Sequence, residues 1–150
     1  MEVDPGLIIY KSKIDPDYMV FVIYEEHHLY SSISEEMSKM KTICVMDTST
    51  NFMIIDGEAM GDLSMDHLLC IESHEIAHAM LDQSELTEEQ AEIESDLVGI
   101  FLLKTLNFND ASLILERRLY NLRGVEYSKL TLLETVGEER MKKIIDKLAE

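Results

Sequence analysis

His74-Glu75-Ile76-Ala77-His78 holds the residue types that could do chemistry in this chain. Two histidines four positions apart lie on one face of a helix, about one turn apart, so both imidazoles can reach one metal ion. The glutamate beside the first histidine can hold a water on that ion and take its proton. An HExxH pattern of this kind suits a zinc hydrolase, in which Zn2+ polarises a carbonyl and acidifies water.

The motif needs a helix beneath it, and the flanking residues supply one. No glycine or proline interrupts residues 64–83. Met65, Leu68, Leu69 and Ile71 precede the motif, and Ile76, Ala77, Ala79, Met80 and Leu81 continue its apolar positions. Ser64 suits an N-cap, because its hydroxyl can accept from the free amides of a first turn.

A catalytic zinc takes three protein ligands and leaves one position open. The third is expected from a second helix. Thr87-Glu88-Glu89-Gln90 reads as a capping box with acids at the positive end of the dipole. Glu92, Glu94 and Asp96 follow, then the apolar Leu97, Val98, Ile100, Phe101, Leu102 and Leu103. The connection from Leu81 to Thr87 is short and polar, which favours antiparallel neighbours. Glu92 then folds back toward His74 and His78. The expected ligands are His74, His78 and Glu92 on one Zn2+, with Glu75 as general base. Asp96, a carboxylate inside an apolar run, needs a partner. It is expected to accept the second ring N–H of one histidine. Glu94 is the alternative third ligand, disfavoured because helix phase points it away from Glu92.

HEIAH followed by Glu92-Ile-Glu-Ser-Asp96 resembles the zincin metallopeptidases with a glutamate as third ligand, the gluzincin-like group. Within that group the pattern is most similar to the ImmA/IrrE-type family, in which an ExEAD-like segment and an apolar helix follow HExxH. The similarity spans about residues 68–103, and Ser95 and Gly99 stand where alanine is usual. It implies a zincin-like fold and one zinc. It also implies a peptide substrate extended along an edge strand of a sheet.

Thirty acidic against thirteen basic residues give a net charge of −17. Direct nucleic-acid binding is not expected, because phosphate contact needs clustered Lys and Arg. Arg117, Arg118 and Arg123 are too few for a groove. An acidic surface attracts basic partners or substrates. Cys44 and Cys70 sit in apolar runs and read as buried, reduced thiols. The acidic start, Met1 to Gly6, does not read as a signal peptide. No stretch approaches transmembrane length. The expected compartment is the cytoplasm of the producing or host cell.

The chain reads as one α+β domain over residues 1–150. A small N-terminal sheet is expected to pack on the HExxH helix and the glutamate-bearing helix, followed by C-terminal helices. Strands are expected at 7–10, 18–24, 43–46 and 52–55, the last two joined as a hairpin, and Asp15-Pro16-Asp17 marks a turn. Ser32 to Glu35 reads as a capping box opening a helix over about 32–41. Further helices are expected at 111–122, stopped by Gly124, and at 130–136 and 138–148, split by Gly137.

His67, seven residues before His74, falls near the metal face and could stand behind the ligands. His27-His28 reads as a surface pair. A cation or hydroxyl often stabilises the oxyanion in zincin chemistry; Tyr120, Arg117, Arg123 and Tyr127 are the downstream candidates, and spacing does not choose among them. Methionines fit as core packing.

Two functions are compatible with these residues. The first is a zinc-dependent metallopeptidase acting on a peptide or protein substrate, with no membrane partner. The alternative is a non-catalytic or narrowly specific zinc-binding regulatory protein, whose acidic surface recruits a basic or DNA-binding protein.

Overall fold

A computed structural model describes residues 4–59 and 64–149. The start read above at Met1 to Val3 therefore lies outside the described residues. The chain is α+β, with four strands and six helices among the described residues. It divides into two compact units, Met1–Met65 and Asp66–Glu150.

The first unit holds β1 (Leu7–Lys11), β2 (Met19–Ile23), α1 (Tyr30–Lys39), β3 (Cys44–Asp47) and β4 (Phe52–Asp56). The strands form one sheet in the order β1-β2-β4-β3. The run at β2 is an interior strand, as its β-branched and aromatic content suggests. Val20, Val22, Met53 and Ile55 alternate inward along β2 and β4 and are buried. β3 and β4 make the expected antiparallel hairpin, Val45 facing Ile54, with Asn51 in the left-handed region at φ 55°. β2 and β4 are parallel, Val20 facing Met53 and Val22 facing Ile55. Parallel strands need a crossover, and α1 is part of it.

The helix expected at 32–41 begins two residues earlier, at Tyr30, and its N-cap position is Leu29 with no side-chain cap. The turn before it decides this. His27 Nδ1 accepts from Leu29 N–H at 3.1 Å, and the Tyr30 hydroxyl donates to Asp56 Oδ1 at 3.0 Å. Ser32 therefore falls inside the first turn rather than at its cap.

The second unit is helical: α2 (Met65–Met80, its first residue shared with the unit boundary), α3 (Glu88–Thr105), α4 (Asn109–Arg123), α5 (Lys129–Val136) and α6 (Glu138–Leu148). Ser64 immediately precedes α2. The Thr87–Gln90 capping box of α3 is complete in both directions. α3 is the core: every residue from Glu94 to Ile100 is buried, as a helix packed on several sides must be. Ala111, Leu115 and Leu119 form the buried i, i+4 stripe of α4. Leu132 and Val136 do the same on α5, and Met141 and Ile144, at i, i+3, are the buried pair of α6. Gly124 ends α4 in the left-handed conformation, φ 67°. Among the described residues, no helix is long and apolar enough to cross a membrane.

Candidate metal centre

α2 and α3 lie antiparallel, and one glycine brings them together at the motif. A Cβ on Gly99 would sit 3.3 Å from the His74 backbone nitrogen and 3.3 Å from the Ser73 carbonyl carbon. Those distances are tighter than ordinary van der Waals contact, so α3 could not approach His74 this closely with a larger residue. The departure from alanine at 99 thus has a physical consequence beside the first histidine.

The approach brings three donor side chains together. His74 Nε2 and His78 Nε2 are 3.1 Å apart. Glu92 Oε2 is 2.9 Å from His74 Nε2, and its Oε1 is 3.3 Å from His78 Nε2. A tetrahedral zinc with bonds of about 2.0–2.1 Å separates its ligand atoms by roughly 3.3 Å. Each of the three separations is close to such an edge, the two to Glu92 being made by its two different carboxylate oxygens. The side chains of His74, His78 and Glu92 keep 15%, 26% and 34% of their exposure. Water can therefore reach a fourth position.

Each imidazole is held from behind. Asp96 Oδ1 lies 2.6 Å from His74 Nδ1, and Gln83 Oε1 lies 2.6 Å from His78 Nδ1. A carboxylate only accepts, so the His74 proton sits on Nδ1 and Nε2 offers its lone pair to the shared point. Two Nε2 lone pairs that face each other at 3.1 Å repel unless a cation lies between them. Asp96→Asn leaves this shape but offers an amide that can present its N–H2 to His74. Zinc affinity is expected to fall about 10- to 100-fold, measured by competition with a chromophoric chelator.

In the metal-free protein that cation is a proton. Burial pulls the His74 imidazole down, but hydrogen bonds to Asp96 and Glu92 outweigh it and push its pKa up to about 9. The His78 pKa is also raised, burial again being outweighed, here by Glu92 and Gln83. Hydrogen bonds from His74 and His78 hold the Glu92 carboxyl well below its ordinary range. An imidazolium has no lone pair for a metal, so a zinc bound here would have to displace these protons. Its affinity is expected to rise with pH up to about 9 and to level off above. Calorimetry at neutral pH in buffers of differing ionisation enthalpy should show at least one proton released per zinc.

Glu75, half-buried on α2, has its carboxyl pKa raised chiefly by burial, against the lowering influence of His74, His78 and, from α4, Arg118. Arg118 is thus the basic residue of its cluster whose charge is felt at Glu75. The other residues read from the sequence fall elsewhere. His67 is two turns below His74, about 10 Å along the axis, and lies outside the donor cluster. Glu94 is not available as a ligand: it is 1% exposed and both its carboxylate oxygens bond the Arg140 guanidinium. Arg117, Tyr120 and Tyr127 line a separate groove along α4. Arg123 pairs with Glu89 at 3.6 Å and lines a groove with Thr87, Glu88, Glu89 and Glu92. Gln83, which the sequence reading did not assign, is the residue that holds His78.

His27 and His28 are not a surface pair. His28 is exposed but His27 is buried, and the rings stack at 4.5 Å. With Asp4 they form a second donor cluster, which is unsuited to a metal. His27 Nδ1 already accepts from Leu29 N–H, so the neutral ring carries its proton on Nε2 and gives it to Asp4 Oδ2 at 3.0 Å. Cys44 and Cys70 are buried thiols. Burial pushes the Cys70 thiol up to about 12, and its hydrogen bonds the Ala111 carbonyl at 3.1 Å, so it is inert at neutral pH.

No family model, curated protein or solved structure matches the chain.

Proposed function

We propose that the chain is a zinc-dependent metallopeptidase of the zincin type, with His74, His78 and Glu92 as ligands and Glu75 as the proton carrier. The observation that supports this most is the convergence of three donor side chains, the two Nε2 atoms 3.1 Å apart and the two Glu92 oxygens 2.9 and 3.3 Å from them, with Glu75 next in sequence to the first. The order HExxH then ExxxD on an antiparallel helix is what suggests the gluzincin-like and ImmA/IrrE-type resemblance.

When bound, zinc supplies Lewis acidity toward a carbonyl and makes a coordinated water easier to deprotonate. The chain's own residues do the rest. Glu75 takes the proton of the attacking water onto its carboxylate and delivers it to the leaving amine nitrogen. Its raised pKa brings it nearer working pH, which suits a group that must both accept and give. Asp96 and Gln83 fix the two rings, so no reorganisation is needed as charge develops. The groove at Glu92 is lined by Glu88, Glu89 and one cation, Arg123. With a net charge of −17, such a groove favours a basic peptide.

The test is cleavage of a mixed peptide pool rich in Lys and Arg, read by mass spectrometry. Zinc-loaded protein is expected to produce new termini, a chelator to stop this, and restored zinc to recover it. A zinc-loaded protein that cleaves nothing in the pool would overturn the reading.

A further inference from the structure

The hydrogen bonding behind His78 does not stop at Gln83. The Gln83 amide nitrogen faces the Ala91 carbonyl at 3.2 Å, Glu94 Oε1 at 3.3 Å and Ser95 Oγ at 2.9 Å. Two of these three, a carbonyl and a carboxylate, can only accept. Turning the amide over would point its oxygen at both of them and leave its N–H2 against His78. The acceptors therefore fix Gln83 with its oxygen toward His78. That oxygen, 2.6 Å from Nδ1, can bond only an Nδ1–H. Ser95 Oγ, 2.9 Å from the same nitrogen, can share that proton.

Glu94 is able to serve as a buried, charged acceptor because α6 supplies its countercharge. Arg140 Nη1 donates to Glu94 Oε2 at 2.7 Å, and Nη2 donates to the other oxygen. Nη2 also donates to the Asp82 carbonyl at 3.0 Å, which ties the same guanidinium to the residue before Gln83. The fork grips one carboxylate and one loop together.

We propose that Glu94, clamped by Arg140, is a positioning residue that fixes the Gln83 amide and through it holds the proton of His78 on Nδ1, leaving Nε2 as the metal-facing atom. The geometry makes the C-terminal helix part of the metal site although none of its residues reaches the metal. The consequence for zinc affinity rests on the ligand reading above; the position of the proton does not.

The sharpest variant is Glu94→Gln. It keeps the shape but can donate to Gln83 as well as accept, so only the Ala91 carbonyl is left as an obligate acceptor and the flipped amide becomes less costly. Long-range 1H–15N correlation of histidine-labelled, metal-free protein at about pH 10, above the ordinary imidazole range, reads the tautomer directly. The wild type is expected to hold its His78 proton on Nδ1, and Glu94→Gln is expected to show a mixture. Zinc affinity of Glu94→Gln should fall about tenfold. The exchange Gln83→Glu with Glu94→Gln puts the obligate acceptor directly against His78. It is expected to restore the single tautomer and bring zinc affinity back, which a role in packing alone would not do. Should Glu94→Gln fail to fold, Gln83→Met removes the amide and is expected to release the tautomer as well. Wild-type His78 protonated on Nε2, or an unchanged tautomer in the folded variants, would overturn the proposal. A wild type that binds no zinc but shows the Nδ1 proton would fail the ligand reading and leave this one standing.

Discussion

A Glu75→Gln chain is expected to keep its zinc and hydrolyse peptides about a thousandfold more slowly, within the 10²–10⁴ range of a lost general base. The amide has the shape of the carboxylate but cannot accept a proton at neutral pH. Because Glu75 lies outside the donor set of His74, His78 and Glu92, its substitution leaves the metal contacts in place. Its carboxyl is pushed up chiefly by burial, with the two histidines pulling against it. A proton taken from water therefore remains on it more readily than on an exposed glutamate, and is available for the departing amine. The comparison is of rates at equal zinc content. A variant as fast as the wild type would remove Glu75 from the reaction.

His78→Ala is expected to lose more than a hundredfold in zinc affinity. Structural zinc sites with four ligands bind with about 10–16 kcal/mol, roughly 3 kcal/mol for each ligand. The loss should exceed that of Asp96→Asn, which disturbs a ligand without removing it. Removing the ring also strands the Gln83 oxygen that faced it at 2.6 Å, so part of the loss comes from the loop. Chelator competition separates the two variants, and thermal unfolding without metal shows whether each keeps its fold. Equal affinities for His78→Ala and the wild type would exclude the ring as a ligand.

The parts of this structure that follow local rules were legible in the sequence. Thr87 and Gln90 are three residues apart, and each satisfies the other's backbone within one turn. Gly124 stops α4 because a left-handed residue at φ 67° is needed there. Glu92 and Asp96 were placed on one face by helix phase, and the short connection after α2 supplied the reversal. Local reading failed where a local signal competed with a longer contact. Ser32 to Glu35 has the form of a capping box, yet the turn held by His27 and the Tyr30 bond to Asp56 start α1 earlier. The parallel pairing of β2 with β4 has no local signature, since it depends on what the crossover between them does.

The same distinction applies within the candidate metal centre. HExxH is visible because its spacing repeats the helix. Gln83 follows the end of α2, beyond the reach of helix phase, and its role appears only when α3 folds back to place Glu94 and Ser95 beside it. Arg140 lies 46 residues from Glu94, and no spacing rule links them. The signal that was present is Glu94 itself: a carboxylate at the start of the apolar run of α3, once buried, requires a countercharge from somewhere in the chain.

Zinc titration of the purified wild type beside Glu92→Gln and Glu94→Gln tests the central claim most directly. The account predicts one zinc per chain, a large loss of affinity for Glu92→Gln, and only the smaller, roughly tenfold loss for Glu94→Gln. No zinc bound by the wild type would contradict it, as would a Glu92→Gln chain that binds zinc as tightly as the wild type.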